Sequence, residues 1–243
     1  VVAATKVNKA DNQRRHSRNP PAASKPHYSQ TAAAKTTGCV RAYFGDPVGQ
    51  SFVVDVQNDF CPGGALAVLG GDEIVDPINE AMAGFDAVIL TQDWHPAGHS
   101  SFASGHYVEP FSSIDMPYGL QVLWPDHCVQ GTTGALFHGA LRSDRADLVL
   151  RKGYRSAIDS YSAFFENDQI TPTGLEGYLN SRGMRDLTFA GLATDYCVAF
   201  SALDAARQGF QVTVDTGLCR AIDMGGSLSL ALRKMKSAKV SVV

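Results

Sequence analysis

Short runs rich in Val, Ile and Leu recur along most of this chain, at 52–55, 87–92, 148–151, 187–190, 211–214 and 239–242. Runs of that length and composition suit strands buried on both faces. Helical stretches fall between them, at 73–83, 174–182, 194–208 and 226–236. In the third, Val198, Ala202 and Ala205 share a face. Strand and helix in alternation fold as a parallel sheet covered on both sides. The expectation is an α/β domain of three layers, α/β/α, around a mainly parallel six-stranded sheet. The carboxyl ends of such strands all meet at one edge, and ligands sit there.

The chain has 243 residues, enough for one such domain plus an extension. The extension reads as 1–47 and the domain as 48–243. Residues 1–47 carry Lys6, Lys9, Arg14, Arg15, Arg18, Lys25, Lys35 and Arg41, and the only acids are Asp11 and Asp46. No apolar period runs through them, so they read as a disordered basic extension, with an organelle-targeting segment as the alternative. The formal net charge of −3 gives no electrostatic case for nucleic acid or for an anionic membrane surface. No apolar run approaches the ~18 residues of a membrane span. Five cysteines without a CxxC pair argue against a disulfide framework and point to a reducing, cytoplasmic setting.

Four strings that each follow a strand deliver reactive side chains. VVDVQNDF carries Asp55, LTQDWHPAGH carries Asp93, His95 and His99, VLRKG carries Lys152, and FAGLATDYCV carries Cys197. Each has a plain structural reading by itself. Cys197 could be a small buried hydrophobe, Asp55 and Asp59 turn residues, Lys152 a surface cation, and the Asp-x-His spacing a coincidence. Convergence on one sheet edge makes them a site instead. A cysteine in the first turn of a helix meets the positive end of the dipole, which favours thiolate. Asp55 could act as base for that thiol. Lys152 could offset the carboxylate charge, while its neighbour Arg151 faces the other way. Asp93 and His95 lie on one face of an extended segment, and His127 in WPDHC sits in an irregular stretch, 95–134, read as a long functional loop. An Asp/His/His set suits Zn, Fe or Mn with positions left for water. His106 and His138 read as surface or loop residues. Phe60, Trp124 and Tyr161 could be core or could form a slot for a flat ring.

Five strings in order, DVQNDFCPGGALAV, TQDWHPAGHSSFAS, WPDHCVQGTTGA, RKGYRSAIDSYSAFFEND and GLATDYCVAFSALDA, make residues 52–243 resemble the nicotinamidase (pyrazinamidase) branch of the isochorismatase-like cysteine hydrolases. The resemblance implies that family's fold and a catalytic triad of Asp55, Lys152 and Cys197. It implies Asp93, His95 and His127 as metal ligands, with His99 as a further ligand or a group beside them. Zinc is the metal expected, with iron or manganese as alternatives. It implies a cis peptide at Leu192–Ala193, an oxyanion hole from the Ala193 and Cys197 N–H groups, and a ring pocket lined by Phe60, Leu66, Trp124 and Tyr161. The activity implied is hydrolysis of nicotinamide to nicotinic acid and ammonia through a cysteine thioester, a step in NAD recycling, with pyrazinamide a candidate second substrate. Another amidohydrolase or isochorismatase-like hydrolase is the alternative, and a non-catalytic nicotinate-binding protein a more distant one. A homo-oligomer is left open. One departure from the family pattern, GDPVGQSF ahead of the first strand, puts that strand's length in question.

Overall fold

The computed structural model describes residues 49–243, so the basic extension lies outside the described residues. Six strands form one sheet in the order β5-β2-β1-β6-β7-β8. They are β1 (Gln50–Val54), β2 (Ala87–Asp93), β5 (Leu148–Lys152), β6 (Asp186–Leu192), β7 (Gln211–Arg220) and β8 (Ser241–Val242). Every pairing in this sheet is parallel. β1 and β2 are buried along their whole length, which is why they read as unbroken apolar runs.

Side chains alternate between the two faces. Phe52 and Val54 join a core with Leu175 and Leu179 of α2 (Leu175–Ser181), Ala202 and Ala205 of α3 (Ala199–Arg207), and Met235 of α4 (Ser227–Ser237). Val53 and Leu90 face the other way, onto Val75 and Ile78 of α1 (Val75–Ala81). The chain builds leftward from β1 through β2 to β5, then returns to lay β6 on the other side of β1. The order therefore reverses between β1 and β6, and such a reversal opens a crevice at the strands' carboxyl ends.

The three-layer reading holds, with differences at the edges. The first strand stops at Val54, and Asp55 turns out of it with φ +48°. β7 runs six residues past the expected 214 because its register shifts opposite Phe189 and Gly191. Gly191, at φ +116°, passes so close to Val54 that a Cβ would collide with the Val54 backbone. The expected helix at 194–208 opens as a wide π turn, Thr194–Val198, before α3 begins. The stretch 95–134 is not all loop. It holds an antiparallel hairpin, β3 (Ser113–Met116) and β4 (Gly119–Val122). Most of the hairpin is exposed or half-buried, so it carries no apolar run to betray it. Among the described residues no helix is long and apolar enough to cross a membrane.

Candidate active site

Asp55 is fully buried at the end of β1. Thr91 on β2 holds it from both sides. The Thr91 hydroxyl donates to Asp55 Oδ1 at 2.6 Å and accepts the Asp55 N–H at 3.2 Å. These bonds offset the cost of the left-handed backbone, about 1 kcal/mol or more for a non-glycine residue. Lys152 ends β5 directly opposite Asp93 in the ladder, and both are buried. Its Nζ lies 2.6 Å from Asp93 Oδ1, 2.8 Å from Asp55 Oδ2, 3.1 Å from the Ser160 carbonyl and 3.3 Å from Cys197 Sγ. The plain reading of Lys152 as a surface cation therefore fails. Burial pulls its pKa down, but Asp55 and Asp93 outweigh that and hold it well above the ordinary lysine value. Arg151 does face the other way, with its guanidinium 3.9 Å over the Trp94 ring and its Nε–H donating to Gln92.

Cys197 sits in the π turn, 6% exposed. Burial pushes its thiol well above the ordinary range. Lys152 opposes this, and Asp55 and Asp93 add to it. Burial beside two carboxylates therefore works against the thiolate that a helix N-terminus, worth about 1 kcal/mol, would favour, and gives a neighbouring base a proton to take. Asp55 is also raised, chiefly by burial and against the pull of Lys152, which makes it a better proton acceptor than a surface aspartate. The Leu192–Ala193 peptide just ahead of the turn is cis, as the resemblance implies.

Asp93, His95 and His127 converge with ligating atoms all within 4.8 Å of one another. His127 is brought there by its neighbours: the His95 N–H donates to the Cys128 carbonyl at 3.0 Å and the Gln130 N–H to the His95 carbonyl at 2.8 Å. His95 Nδ1 donates to the Gly153 carbonyl at 2.8 Å, and His127 Nδ1 to the Pro125 carbonyl at 2.8 Å. A carbonyl only accepts, so each ring carries its proton on Nδ1 and turns a bare Nε2 inward. Those nitrogens lie 3.4 and 3.6 Å from Asp93 Oδ2, and His95 Nε2 is buried without a hydrogen-bond partner. Three acceptors facing one another with no donor between them fit a divalent cation. His99 stacks on His95 at 4.3 Å between ring centroids. Its Nε2 donates toward the Arg155 and Ile158 carbonyls and its Nδ1 accepts from Ser101, so both nitrogens are already engaged. His106 and His138 bond to nearby backbone, away from this centre. Asp59 is a turn residue, accepting the Ala65 and Cys128 N–H groups.

One narrow pocket opens onto all of this. Phe60, Leu66, Trp124 and Tyr161 line it beside Asp93, His127, Ala193 and Cys197. Asp159, Tyr196 and Ile222 line it too, and sequence reasoning named none of them. Tyr196 could have been found as the neighbour of Cys197, but nothing in the string around Asp159 or Ile222 marks them. The aromatic wall is cross-braced: Tyr161 OH accepts from Trp124 Nε1 at 3.1 Å and from Gln121 Nε2 at 2.8 Å, and Tyr196 meets Trp124 edge-on at 4.8 Å. The core and the slot readings of these rings are therefore both right, since the same rings pack and line.

Residues 51–243 match the isochorismatase domain family. A nicotinamidase of Acinetobacter baylyi is 52% identical over 189 residues, which cover 77% of this chain and 88% of that protein. The chain belongs to the isochorismatase-like hydrolases. Within that family it groups with the nicotinamidases and pyrazinamidases. The solved nicotinamidase/pyrazinamidase of Acinetobacter baumanii is 49% identical with a TM-score of 0.80, over 82% of this chain and 97% of that one. A pyrazinamidase of Pyrococcus horikoshii, solved in complex with zinc, is 33% identical with a TM-score of 0.65, over 80% and 97%. The isochorismatase-like domain thus accounts for nearly all the described residues.

Proposed function

We infer that this amidohydrolase converts nicotinamide to nicotinic acid and ammonia, and accepts pyrazinamide as a similar ring bearing the same amide. One observation carries the reading: a buried thiol, a buried carboxylate and a buried ammonium in contact open onto the same ring-sized aromatic pocket as a set of inward-facing metal donors. The nicotinamidase relatives support the substrate, and the zinc-bound pyrazinamidase supports zinc over iron or manganese.

Asp55 takes the Cys197 thiol proton, and the sulfur attacks the carboxamide carbon. Lys152, within reach of both Asp55 and Cys197, compensates the charge that passes between them. The N–H groups of Ala193 and Cys197 serve the oxyanion. Asp55 returns the proton to the nitrogen, ammonia leaves, and a thioester remains on Cys197. Water then attacks that thioester, with Asp55 as base again, to release nicotinic acid and restore the thiol. Phe60, Leu66, Trp124 and Tyr161 hold the ring flat and exclude bulk water, so the attack is intramolecular in effect. A divalent cation on Asp93, His95 and His127 would supply Lewis-acid charge for the ring nitrogen.

The test is ammonia release from nicotinamide. Cys197→Ala should lose at least ~10⁴-fold in kcat yet still bind nicotinate. Dialysis against a chelator should weaken both binding and turnover. A Cys197→Ala protein with most of its activity would rule out the thioester route, and nicotinate binding without ammonia release by the wild type would favour a binding protein.

A further inference from the structure

Asp159 lines the pocket beside Asp93 and His127 but takes part in none of the steps above. It is 2% exposed. Its Oδ1 accepts the Ser160 N–H at 2.7 Å and its Oδ2 accepts Gln121 Nε2 at 3.1 Å, both neutral donors. None of the ion pairs among the described residues includes it. A ligating atom of Asp159 lies within 4.8 Å of one on His95 and one on His99, a group that shares His95 with the set of Asp93, His95 and His127. Asp55 and Asp93 share the one buried ammonium, Lys152, and Asp159 adds a third buried carboxylate to the pocket with only neutral donors on it, so the buried carboxylates at the site outnumber its buried ammonium by two. Buried charge left unpaired is costly, and two negative charges are what a divalent cation neutralises. The buried, unpartnered Nε2 of His95 marks the gap where that cation fits.

We propose that Asp159 is the counter-charge that sets the affinity of the cation held by Asp93, His95 and His127, acting from outside that trio. The proposal rests on the reading of the trio as a metal site. Gln121, on the hairpin strand β4, is the side chain that fixes the Asp159 carboxylate in the pocket wall. Asp159 is thus a positioning residue for the metal, and the hairpin reaches the metal through it.

The test measures zinc affinity of the full chain by competition with a chromophoric chelator, and Tm with and without zinc. Asp159→Asn keeps the shape and removes the charge. It should bind zinc ~10–100-fold more weakly, the range for groups just outside a ligand shell. Its metal-free Tm should hold or rise while the Tm gain on adding zinc shrinks. A purely structural hydrogen-bond role would instead lower the metal-free Tm and leave zinc affinity alone. Asp159→Glu should restore most of the affinity. If Asp159→Asn does not fold, Asp159→Ser, whose space admits water, carries the same comparison. Zinc affinity within twofold of wild type in the neutral variant, or equal loss in Asp159→Glu, overturns the proposal. His127→Ala separates the two readings: if it leaves zinc affinity intact, the trio itself is wrong.

Discussion

The site is made of two unlike halves. Asp93 and Lys152 are paired in the ladder at the ends of their strands, Asp55 follows β1 directly, and Cys197 stands in the π turn after β6. Trp124, His127 and Gln121 ride on the long excursion between β2 and β5, which is held by single bridges such as His95 to Val129 and Phe102 to Trp124. The first half sets the reacting atoms, in contacts of 2.6 to 3.3 Å around Lys152. The second supplies shape and completes the metal donors. Substitutions at the sheet edge should therefore strike turnover and stability together, while those on the excursion should strike binding.

The largest effect on stability is expected at Lys152. Lys152→Met keeps the stem and removes the charge that Asp55 and Asp93 share. Breaking one partner out of a buried ionic cluster costs about 3–5 kcal/mol, because the remaining carboxylates stay buried and unpaired. Denaturant unfolding reads that loss, and ammonia release should fall at least ~10³-fold. A Lys152→Met protein as stable as wild type would erase the contrast between the halves.

Trp124→Phe probes the excursion. It keeps an aromatic wall but removes the Nε1 donor to Tyr161 OH, leaving that oxygen with Gln121. One neutral hydrogen bond is worth about 1 kcal/mol. We expect KM to rise ~5-fold with kcat within about twofold, the pattern of lost ground-state binding. A fall in kcat at unchanged KM would instead place Trp124 in the chemistry.

The same division governs what the sequence could reveal. Buried parallel strands read as apolar runs, so the six strands were legible, and the ends of β2 and β5 to within a residue. Asp55 was off by one residue, because nothing in VVDV announces the turn to φ +48°. The hairpin stayed hidden since its strands bury almost nothing, and Gln121 and Asp159 stayed hidden since a buried polar residue has no periodicity to follow. Phe60 and Trp124 stood out as aromatics near the reactive strings, but family resemblance was needed to add Leu66 and to choose the slot over the core, because the excursion's path cannot be built from spacing. The surroundings that oppose a Cys197 thiolate stay hidden for a different reason. A helix terminus can be read from a string, but the desolvation that opposes it cannot.

The smallest effect sits where the halves touch, at His99. Its ring packs on His95, and burial, with His95 adding to it, depresses its pKa below the ordinary 6.5. The unfolded chain therefore takes a proton at this residue more readily than the folded one. Stability from His99 is fully present above pH 6.5 and is lost as pH falls through that value toward the folded pKa. His99→Gln has no such proton to gain, yet its amide can still donate to the Arg155 carbonyl. Between pH 7 and pH 5 the wild type should lose more stability than His99→Gln, by on the order of 1 kcal/mol or less. The comparison belongs on metal-free protein, where protons do not compete with a cation at His95 and His127. Parallel unfolding curves for the two proteins across that range would mean that His99 is as easily protonated in the fold as in the open chain, and that the packing between the halves is looser than the ring contacts require.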